Sequence, residues 1–408
     1  MDALYISYWS LKDPLTESQT LPVLRALVDR GVRFALLTFE QAPYRVHPDQ
    51  VDRVKRQLAE QGIFWLGLRY HKRPRLLATL WDLITATVRA VGLARKYKIR
   101  VFHSRGSIAA APARLAAKLC GGRFFYDADG PVSQEYLDTG SWAPGSVAYR
   151  LTRWSENKCF ASADETAVLT NAYQRHLGVT ATVLPCAVNV DRFRRIEDAR
   201  REIRSRLGVQ DEPVLVYVGK FGGWYAIDEM MAFCAALQKQ CKVARLLILT
   251  LDDPAHFHRS SRRGGFDGVI NIESVAPAEV PRWLSAADCG LSFVRPVPSK
   301  MASSPVKNGE YLACGLPVVT PVGIGDYSDL ISREEVGVVL RARDGCIDTT
   351  DFDDAAGQLL RLMSDPQVSE RCRAIALRHL DFETIVAPRV VAVYERLLEK
   401  RLSLHVTE

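Results

Sequence analysis

The sequence has 408 residues, of which 48% are hydrophobic and 25% are charged, and its net charge is +7. These fractions are typical of a globular protein, and the length exceeds what one hydrophobic core usually supports, so we expect two domains. No stretch approaches the ~20 uninterrupted apolar residues of a membrane-spanning helix, which argues against an integral membrane protein.

Residues 1–7 lack the basic segment, apolar run and small-residue cleavage site of a signal peptide. They indicate a first strand instead, and we therefore expect a cytoplasmic location.

The nine cysteines show no CxxC pair and no regular spacing. Most of them lie in apolar or helical contexts, so the pattern favours buried free thiols over disulfides or a zinc site.

The N-terminal half alternates apolar runs with helical patterns. Strands are predicted at 4–8, 33–38, 63–68, 100–104, 123–127 and 165–169, and helices at 20–30, 51–61, 108–120 and from residue 75 onward. Such alternation indicates a mostly parallel sheet with helices on both faces.

The same alternation restarts after a polar, charge-dense stretch at 189–212, which we interpret as a linker. Strands are predicted at 213–219, 244–250, 269–272, 290–293 and 317–320, and helices at 227–239, 277–286, 306–314 and 383–402. The sequence therefore predicts an α/β protein with two tandem Rossmann-like, doubly wound domains, 1–188 and 189–380. Residues 381–408 would form a C-terminal helix packing back towards the first domain, and ligands would bind in the cleft between the domains.

Residues 69–100 hold nine Lys or Arg and a single acid, Asp82. The predicted helix 75–95 also carries large apolar residues at helical spacing. A core helix with a basic approach loop explains this pattern, and so does a peripheral contact with an anionic membrane surface. Nucleic acid is not an expected partner, because interleaved aromatic residues and known binding modules are missing.

The most informative passage is SKMASSPVKNGEYLACGLPVV at 299–319. It predicts a loop, a short helix that Gly315 ends, and a buried strand. Ser303 or Ser304 can cap the helix, whose free N–H groups would suit a phosphate. Lys307 opposes the helix dipole by ~0.5 kcal/mol unless an anion binds there, and Glu310, one turn on, can accept hydrogen bonds from sugar hydroxyls. In the alternative reading Lys307 is a solvated charge paired with Glu310.

The string EYLACGLPVV at 310–319 resembles the donor-binding region of retaining, nucleotide-sugar-dependent glycosyltransferases with the GT-B fold. VYVGKFGGWY at 216–225, SAADCGLS at 285–292 and VLPCAVNVDRF at 183–193 are similar to further passages of that family. The resemblance implies that Lys220 faces the donor diphosphate, with Gly222 in the same turn. It also implies that Pro305 and Asn308 line the donor site beside Lys307 and Glu310.

Two passages of the N-terminal half, HSRG at 103–106 and FYDADG at 125–130, look like loops that follow strands and face the ligand. They supply Ser104, Arg105, Asp127 and Asp129. Asp127 is our candidate for orienting or deprotonating the acceptor, although a turn-capping role explains it equally well. Asp129, Glu135, His103 and Arg105 are weaker candidates for that role, and a metal held by His256 and His258 is a weaker idea still.

The sequence departs from the family pattern at three places. Ala302 replaces the first of two glutamates that frame seven residues, and Tyr225 replaces a second basic residue, so Lys307 would supply the missing charge. The expected glycine-rich turn after the first strand gives way to a bulkier loop beginning at Tyr8, which we expect to shape the acceptor site.

Together with the N-terminus, the resemblance predicts a cytoplasmic enzyme of bacterial surface polysaccharide synthesis, and the membrane interpretation of residues 69–100 would place it at the inner face of the membrane. Its donor would be a nucleotide sugar, and its acceptor a glycan or a lipid-linked glycan. No cofactor and no metal are expected. With retention of configuration, the leaving phosphate can take the acceptor's proton, so a strong protein base is not compulsory. A nucleotide-sugar 2-epimerase of the same architecture is the alternative.

Overall fold

The computed structural model describes residues 1–241 and 245–402. The chain forms two compact units. The first comprises Met1–Leu184 together with the chain from Val386 onward, and the second comprises Pro185–Ile385. Residue 244, where a strand was predicted to begin, lies outside the described residues.

The first unit contains a seven-stranded sheet in the order β3-β2-β1-β4-β5-β6-β7 with all pairs parallel. Its central strands are apolar and buried on both faces, as expected of strands covered by helices. The strands are β1 (Ala3–Ser7), β2 (Phe34–Glu40), β3 (Ile63–Arg69), β4 (Val101–Arg105), β5 (Arg123–Ala128), β6 (Glu165–Val168) and β7 (Thr182–Val183). The helices are α1 (Leu21–Val28), α2 (Val51–Glu60), α3 (Arg75–Tyr97), α4 (Ser107–Cys120), α5 (Val132–Asp138), α6 (Val147–Ser162) and α7 (Asn171–Leu177).

The second unit contains a six-stranded parallel sheet in the order β10-β9-β8-β11-β12-β13 and a small antiparallel pair, β14-β15. The strands are β8 (Val214–Val218), β9 (Arg245–Leu249), β10 (Val269–Glu273), β11 (Cys289–Leu291), β12 (Val318–Pro321), β13 (Gly337–Leu340), β14 (Ala342–Arg343) and β15 (Cys346–Ile347). The helices are α8 (Glu197–Leu207), α9 (Ile227–Gln240), α10 (Pro254–Gly264), α11 (Val280–Leu284), α12 (Val306–Ala313), α13 (Tyr327–Arg333), α14 (Phe352–Met363) and α15 (Val368–His379).

The last helix, α16 (Ala387–Leu398), belongs to the first unit and packs beside α1. Tyr394 is fully buried there, and its hydroxyl lies 2.9 Å from Nδ1 of His103. Arg396 forms two hydrogen bonds, of 2.6 and 2.8 Å, to the carboxylate of Glu165. The predicted helix at 383–402 is therefore shorter, and a single π-helical turn, Phe382–Val386, precedes it.

The stretch at 189–212 is not a linker, and that prediction was wrong. Its helix α8 buries Ala199, Ile203 and Leu207, and the last two join the hydrophobic core of the second unit. These residues repeat at every fourth position, so a sequence rich in charge still presents one apolar stripe. One charged residue of α8, Arg204, is buried beside this stripe and donates hydrogen bonds to the backbone oxygens of Gln210, Glu212 and Ala286.

Both sheets have the strand order of a doubly wound fold, so the prediction of two Rossmann-like α/β units is confirmed. In such sheets ligands bind beyond the carboxyl ends of the strands, where the strand order reverses. That point lies between β1 and β4 in the first unit and between β8 and β11 in the second.

Candidate functional site

A glycine turn follows β8 at the reversal point of the second sheet. Gly219 has φ +149°, and a Cβ built on it would lie 2.9 Å from Nζ of Lys307 and 3.1 Å from the hydroxyl of Tyr217. A side chain at this position would have to displace the ammonium group from its place. The structure thus brings Lys307 of α12 against the turn that carries Lys220, the next residue.

Lys307 is held in an aromatic cage. Its Nζ lies 4.3 Å from the ring centre of Tyr217 and 4.1 Å from that of Tyr225. The side chain is only 8% exposed, and within the described residues Nζ has no hydrogen-bond partner. Burial lowers the pKa of Lys307 to about 7, although the nearby Glu310 opposes this shift. A buried ammonium without an acceptor is ready to bind an anion that a ligand supplies.

The start of α12 is organised differently from the sequence prediction. Pro305 is the N-cap residue, and it provides no side-chain hydrogen bond to the helix. The hydroxyl of Ser304 instead accepts a hydrogen bond from the N–H of Cys186, at 3.1 Å. The proposed capping by Ser303 or Ser304 is therefore wrong, and the first turn of α12 keeps donors that a ligand can use.

Glu310 lies one turn after Lys307 and is partly buried. Burial raises the pKa of its carboxyl to about 7, against the effects of Arg192 and Lys307. Near neutral pH this carboxyl can therefore both donate and accept hydrogen bonds. Asn308 is fully buried, and both polar atoms of its side chain lack a hydrogen-bond partner among the described residues. Such groups are uncommon in native interiors and indicate a bound molecule or water.

Lys220 itself is exposed, and its backbone oxygen accepts a 2.6 Å hydrogen bond from the hydroxyl of Tyr217. Gly222 continues the turn at φ +74°. A second cation lies near this turn, and sequence reasoning missed it. Nζ of the buried Lys300 lies 3.6 Å from the ring centre of Trp224. The signal in the sequence was the aromatic pair at 224–225, since aromatic rings favour neighbouring cations.

In the first unit, β4 and β5 end side by side and bring two candidates into contact. Arg105 Nη1 lies 2.8 Å from Oδ2 of Asp127, with side-chain exposures of 14% and 5%. Burial raises the pKa of Asp127, while the guanidinium of Arg105 opposes that rise. The other carboxylate oxygen, Oδ1, has no hydrogen-bond partner in the part of the chain that the structure describes. The ion pair therefore fixes Oδ2 of Asp127 and leaves Oδ1 available to accept a hydrogen bond from a ligand.

Asp129 lies beside Gly106, the glycine that precedes α4. A Cβ on Gly106, which has φ +81°, would lie 3.1 Å from Oδ1 of Asp129. Burial raises the pKa of Asp129 to about 7; Arg105 lowers it, and the carboxyls of Asp127 and Glu135 raise it further. A carboxyl that titrates near neutral pH can act as a proton acceptor or donor.

The remaining N-terminal candidates occupy different surroundings. The hydroxyl of Tyr8 donates a 3.3 Å hydrogen bond to Asp82 of α3, so it is not directed to the Arg105–Asp127 pair. Ser104 is fully buried, and its hydroxyl lacks a partner among the residues described. His103 is a core residue, and burial holds its pKa well below the usual range.

The weaker metal hypothesis gains no geometric support. His256 stacks on Phe221, with ring centres 4.9 Å apart, and His258 lies two residues further along α10. Over 1–241 and 245–402, no group of three or more His, Cys, Asp or Glu side chains is arranged to hold a metal ion.

Comparison with known proteins gives a family match in each half of the chain. Residues 16–185 match the Glycosyl transferase 4-like domain, and residues 212–365 match the domain described as Glycosyl transferases group 1. D-inositol 3-phosphate glycosyltransferase of Thermomonospora curvata is 28% identical over 190 residues, which cover 44% of this chain and 41% of that protein. The putative teichuronic acid biosynthesis glycosyltransferase TuaC of Bacillus subtilis is 30% identical over 159 residues, which cover 39% and 37%. The chain thus spans less than half the length of these curated relatives.

Solved structures share the fold over nearly the whole chain. Sucrose-phosphate synthase from Thermosynechococcus elongatus superposes with a TM-score of 0.74 at 17% identity, covering 98% of this chain and 100% of that one. HepE from Anabaena in complex with UDP-glucose gives 0.66 at 14% identity, covering 98% and 99%. The two matched domains and this shared fold show that the chain belongs to the glycosyltransferases of the GT-B fold that join a glycosyl transferase 4-like domain to a group 1 domain.

Proposed function

We propose that this protein transfers a sugar, with retention of configuration, from a nucleotide-sugar donor to a glycan or lipid-linked acceptor in surface polysaccharide synthesis in the cytoplasm. One observation carries the proposal. The ammonium of Lys307 is buried between two tyrosine rings, without an acceptor among the described residues, against the turn of Gly219 and Lys220. A diphosphate is the part of the donor that supplies such an acceptor.

The charge chemistry of the reaction explains these groups. Sugar transfer builds positive charge at the anomeric carbon and negative charge on the departing diphosphate. Lys307 meets that negative charge in a site of low dielectric constant, where the attraction is stronger than in water. The first turn of α12 offers backbone N–H donors to the same diphosphate, and the exposed Lys220 adds a positive charge.

Glu310 and Asn308 are proposed to hold the sugar and nucleotide through hydrogen bonds. The half-ionised carboxyl of Glu310 can accept from one hydroxyl and donate to another. Asn308 offers a buried amide whose donor and acceptor are both unused in the described chain. Ser303, Pro305 and Gly222 are proposed to shape the surrounding loops, and Ser304 to anchor them at Cys186.

On the acceptor side we favour Asp129 over Asp127 as the group that exchanges a proton. Asp127 is fixed by Arg105, whereas burial brings the pKa of Asp129 to about 7. Asp127 and Arg105 then position the acceptor, with Ser104 and the loop after Tyr8 around it. In a retaining reaction the leaving phosphate takes the acceptor's proton, so Asp129 assists rather than replaces it.

The donor is proposed to be a uridine diphosphate sugar, which is the ligand named for the structurally similar HepE. A thermal-shift panel of nucleoside diphosphates and nucleotide sugars tests this directly. A ligand at ~100 times its dissociation constant should stabilise the fold by ~2.7 kcal/mol. Conversion of the donor without any acceptor would instead indicate a 2-epimerase. No cofactor or metal is part of the proposal.

Replacing Lys220 by Ala is expected to reduce turnover by ~100-fold, because the developing charge on the diphosphate loses a cation. Steady-state kinetics with donor and acceptor measure the effect. Lys239→Ala is the matched control, since this exposed lysine lies in the last turn of α9 and pairs with Asp353. If Lys220→Ala lowers turnover only a few-fold, Lys220 does not interact with the negative charge that develops on the diphosphate.

Binding of a diphosphate should take up a proton at pH values above about 7. The pKa of Lys307 in the free protein is about 7, so above it most molecules hold a neutral amine. A bound anion raises that pKa, and affinity therefore falls as pH rises through this range. Calorimetry of UDP binding in two buffers of different ionisation enthalpy measures the uptake. Lys307→Met should abolish it, and uptake that survives in this variant would assign the proton to another group.

A further inference from the structure

Helix α3 is unusual because its large apolar side chains point outward. The buried positions repeat every fourth residue and are small except for one acid: Ala78, Asp82, Ala86, Ala90 and Ala94. The exposed positions fall on the opposite side, where the side chains are between 50% and 67% exposed: Leu77, Leu80, Trp81, Ile84 and Val88. The core-helix explanation of this segment is therefore wrong for its large residues.

The same surface continues over two neighbouring helices. Helix α3 packs along α4, and α4 packs along α6, so the three form one layer of the first unit. Helix α4 exposes Leu115 and Leu119, and α6 exposes Val147, Leu151 and Trp154 at spacings of four and three. We call these residues and the exposed face of α3 the outer helical surface. It holds ten of the 17 exposed large hydrophobic residues in the described chain.

The charged residues of these three helices are basic, apart from two acids that are buried. Their sequences contain nine basic residues, four on α3, two on α4 and three on α6. Their only acids are Asp82 and Glu156, which are 1% and 6% exposed. Asp82 accepts hydrogen bonds from Tyr8 and the backbone of His71, and Glu156 accepts from Ser133, so both acids face inward.

We infer that the outer helical surface docks the protein on an anionic lipid bilayer. An apolar surface on helices whose only acids are buried and whose other charged residues are Lys and Arg matches a bilayer interface, which is apolar inside and negatively charged at its headgroups. A second copy of the chain would place the same positive charges against each other. The inference does not depend on which sugar or acceptor the enzyme uses.

The geometry points to a helix that lies on the bilayer rather than across it. Leu77–Tyr97 has the length and hydropathy of a membrane-crossing helix, yet 28% of its apolar window is buried within the fold. The small buried alanines of α3 let this helix approach α4 closely, and Asp82 accepts a hydrogen bond from Tyr8 of the same unit. Crossing the bilayer would expose these groups to lipid.

Vesicle flotation of the full-length protein tests the inference. We expect binding to phosphatidylcholine vesicles that contain phosphatidylglycerol, and at least ~10-fold weaker binding to phosphatidylcholine alone or at high salt. The double variant Leu80→Ser/Leu151→Ser should bind the anionic vesicles ~10-fold less than the wild type. The control Leu251→Ser/Leu377→Ser removes two leucines of similar exposure in the second unit and should bind like the wild type.

Two further measurements keep the test decisive. Circular dichroism and thermal melting show whether Leu80→Ser/Leu151→Ser remains folded. Brominated lipid should quench the fluorescence of Trp81 and Trp154, and Trp81→Phe/Trp154→Phe should lose most of that quenching. Equal flotation of the serine variant and the wild type would overturn the inference. So would a wild-type dimer that these substitutions dissociate, since the surface would then cover a second copy.

Discussion

Lys307→Met is expected to lower turnover by at least ~100-fold and yet to make the ligand-free protein more stable. The methionine is similar in size and can fill the space between Tyr217 and Tyr225 without a buried charge. Because burial depresses the pKa of Lys307 to about 7, the folded state binds its proton more weakly than the unfolded chain does. The ammonium therefore opposes folding most strongly below pH 7, and this penalty disappears as pH rises towards 10.5.

The expected gain in the free energy of unfolding is about 1–3 kcal/mol at pH 6, and it should shrink as the pH increases to 10. Pulse proteolysis in urea at both pH values, followed on fragments of the second unit, measures the gain within that unit, and kinetics with donor and acceptor measure the loss of turnover. Lys239→Met is the control, because Lys239 is exposed and should change neither quantity by much. A variant that is destabilised, or that keeps normal turnover, would contradict the assignment of Lys307 to the donor diphosphate.

Arg105→Met should destabilise the first unit by ~3–5 kcal/mol at pH 7, because it leaves the buried carboxylate of Asp127 without its cation. The folded protein then prefers the protonated acid, so the pKa of Asp127 rises further above its value in the unfolded chain. Between the two pKa values the folded state binds more protons, and stability falls as pH increases. The loss should accordingly be largest at neutral pH and smaller near pH 4.

Hydrogen exchange of the peptides that cover β4 and β5 measures this effect within the first unit, where denaturation of the whole chain would mix two units. The double variant Arg105→Met/Asp127→Asn should recover much of the stability, since it removes the unpaired charge. No difference between the single and double variants would show that the pair contributes little. The double variant should also lower activity if the pair positions the acceptor.

Most strands of the two parallel sheets were predictable because buried parallel strands appear as short apolar runs between amphipathic helices. Errors arose where composition and periodicity disagree. The stretch at 189–212 is polar on average, but Ile203 and Leu207 form a stripe that the second core covers. Helix α3 was predicted, but which of its faces is buried was not. Its small residues and its large apolar residues both recur at helical spacing, so periodicity alone does not distinguish the buried face.

The candidate site could be predicted only where its residues are close in the chain. The passage at 299–319 indicated Lys307 and Glu310 together, but the tyrosines that enclose Lys307 lie more than 80 residues earlier. The capping error has a local cause. Ser304 uses its hydroxyl for the backbone of Cys186, a contact between distant segments that no sequence pattern announces.

The position of α16 has a consequence for how the chain folds during synthesis. Residues 185–385 form the second unit as one continuous segment, whereas the first unit needs a helix that the ribosome makes after the whole of the second unit. Until then the side of the first sheet that Tyr394 covers, at Phe34 and His103, stays open to water. The later-encoded unit can therefore complete its core before the earlier one, and nascent chains that stop short of α16 should attract chaperones through that uncovered aromatic patch.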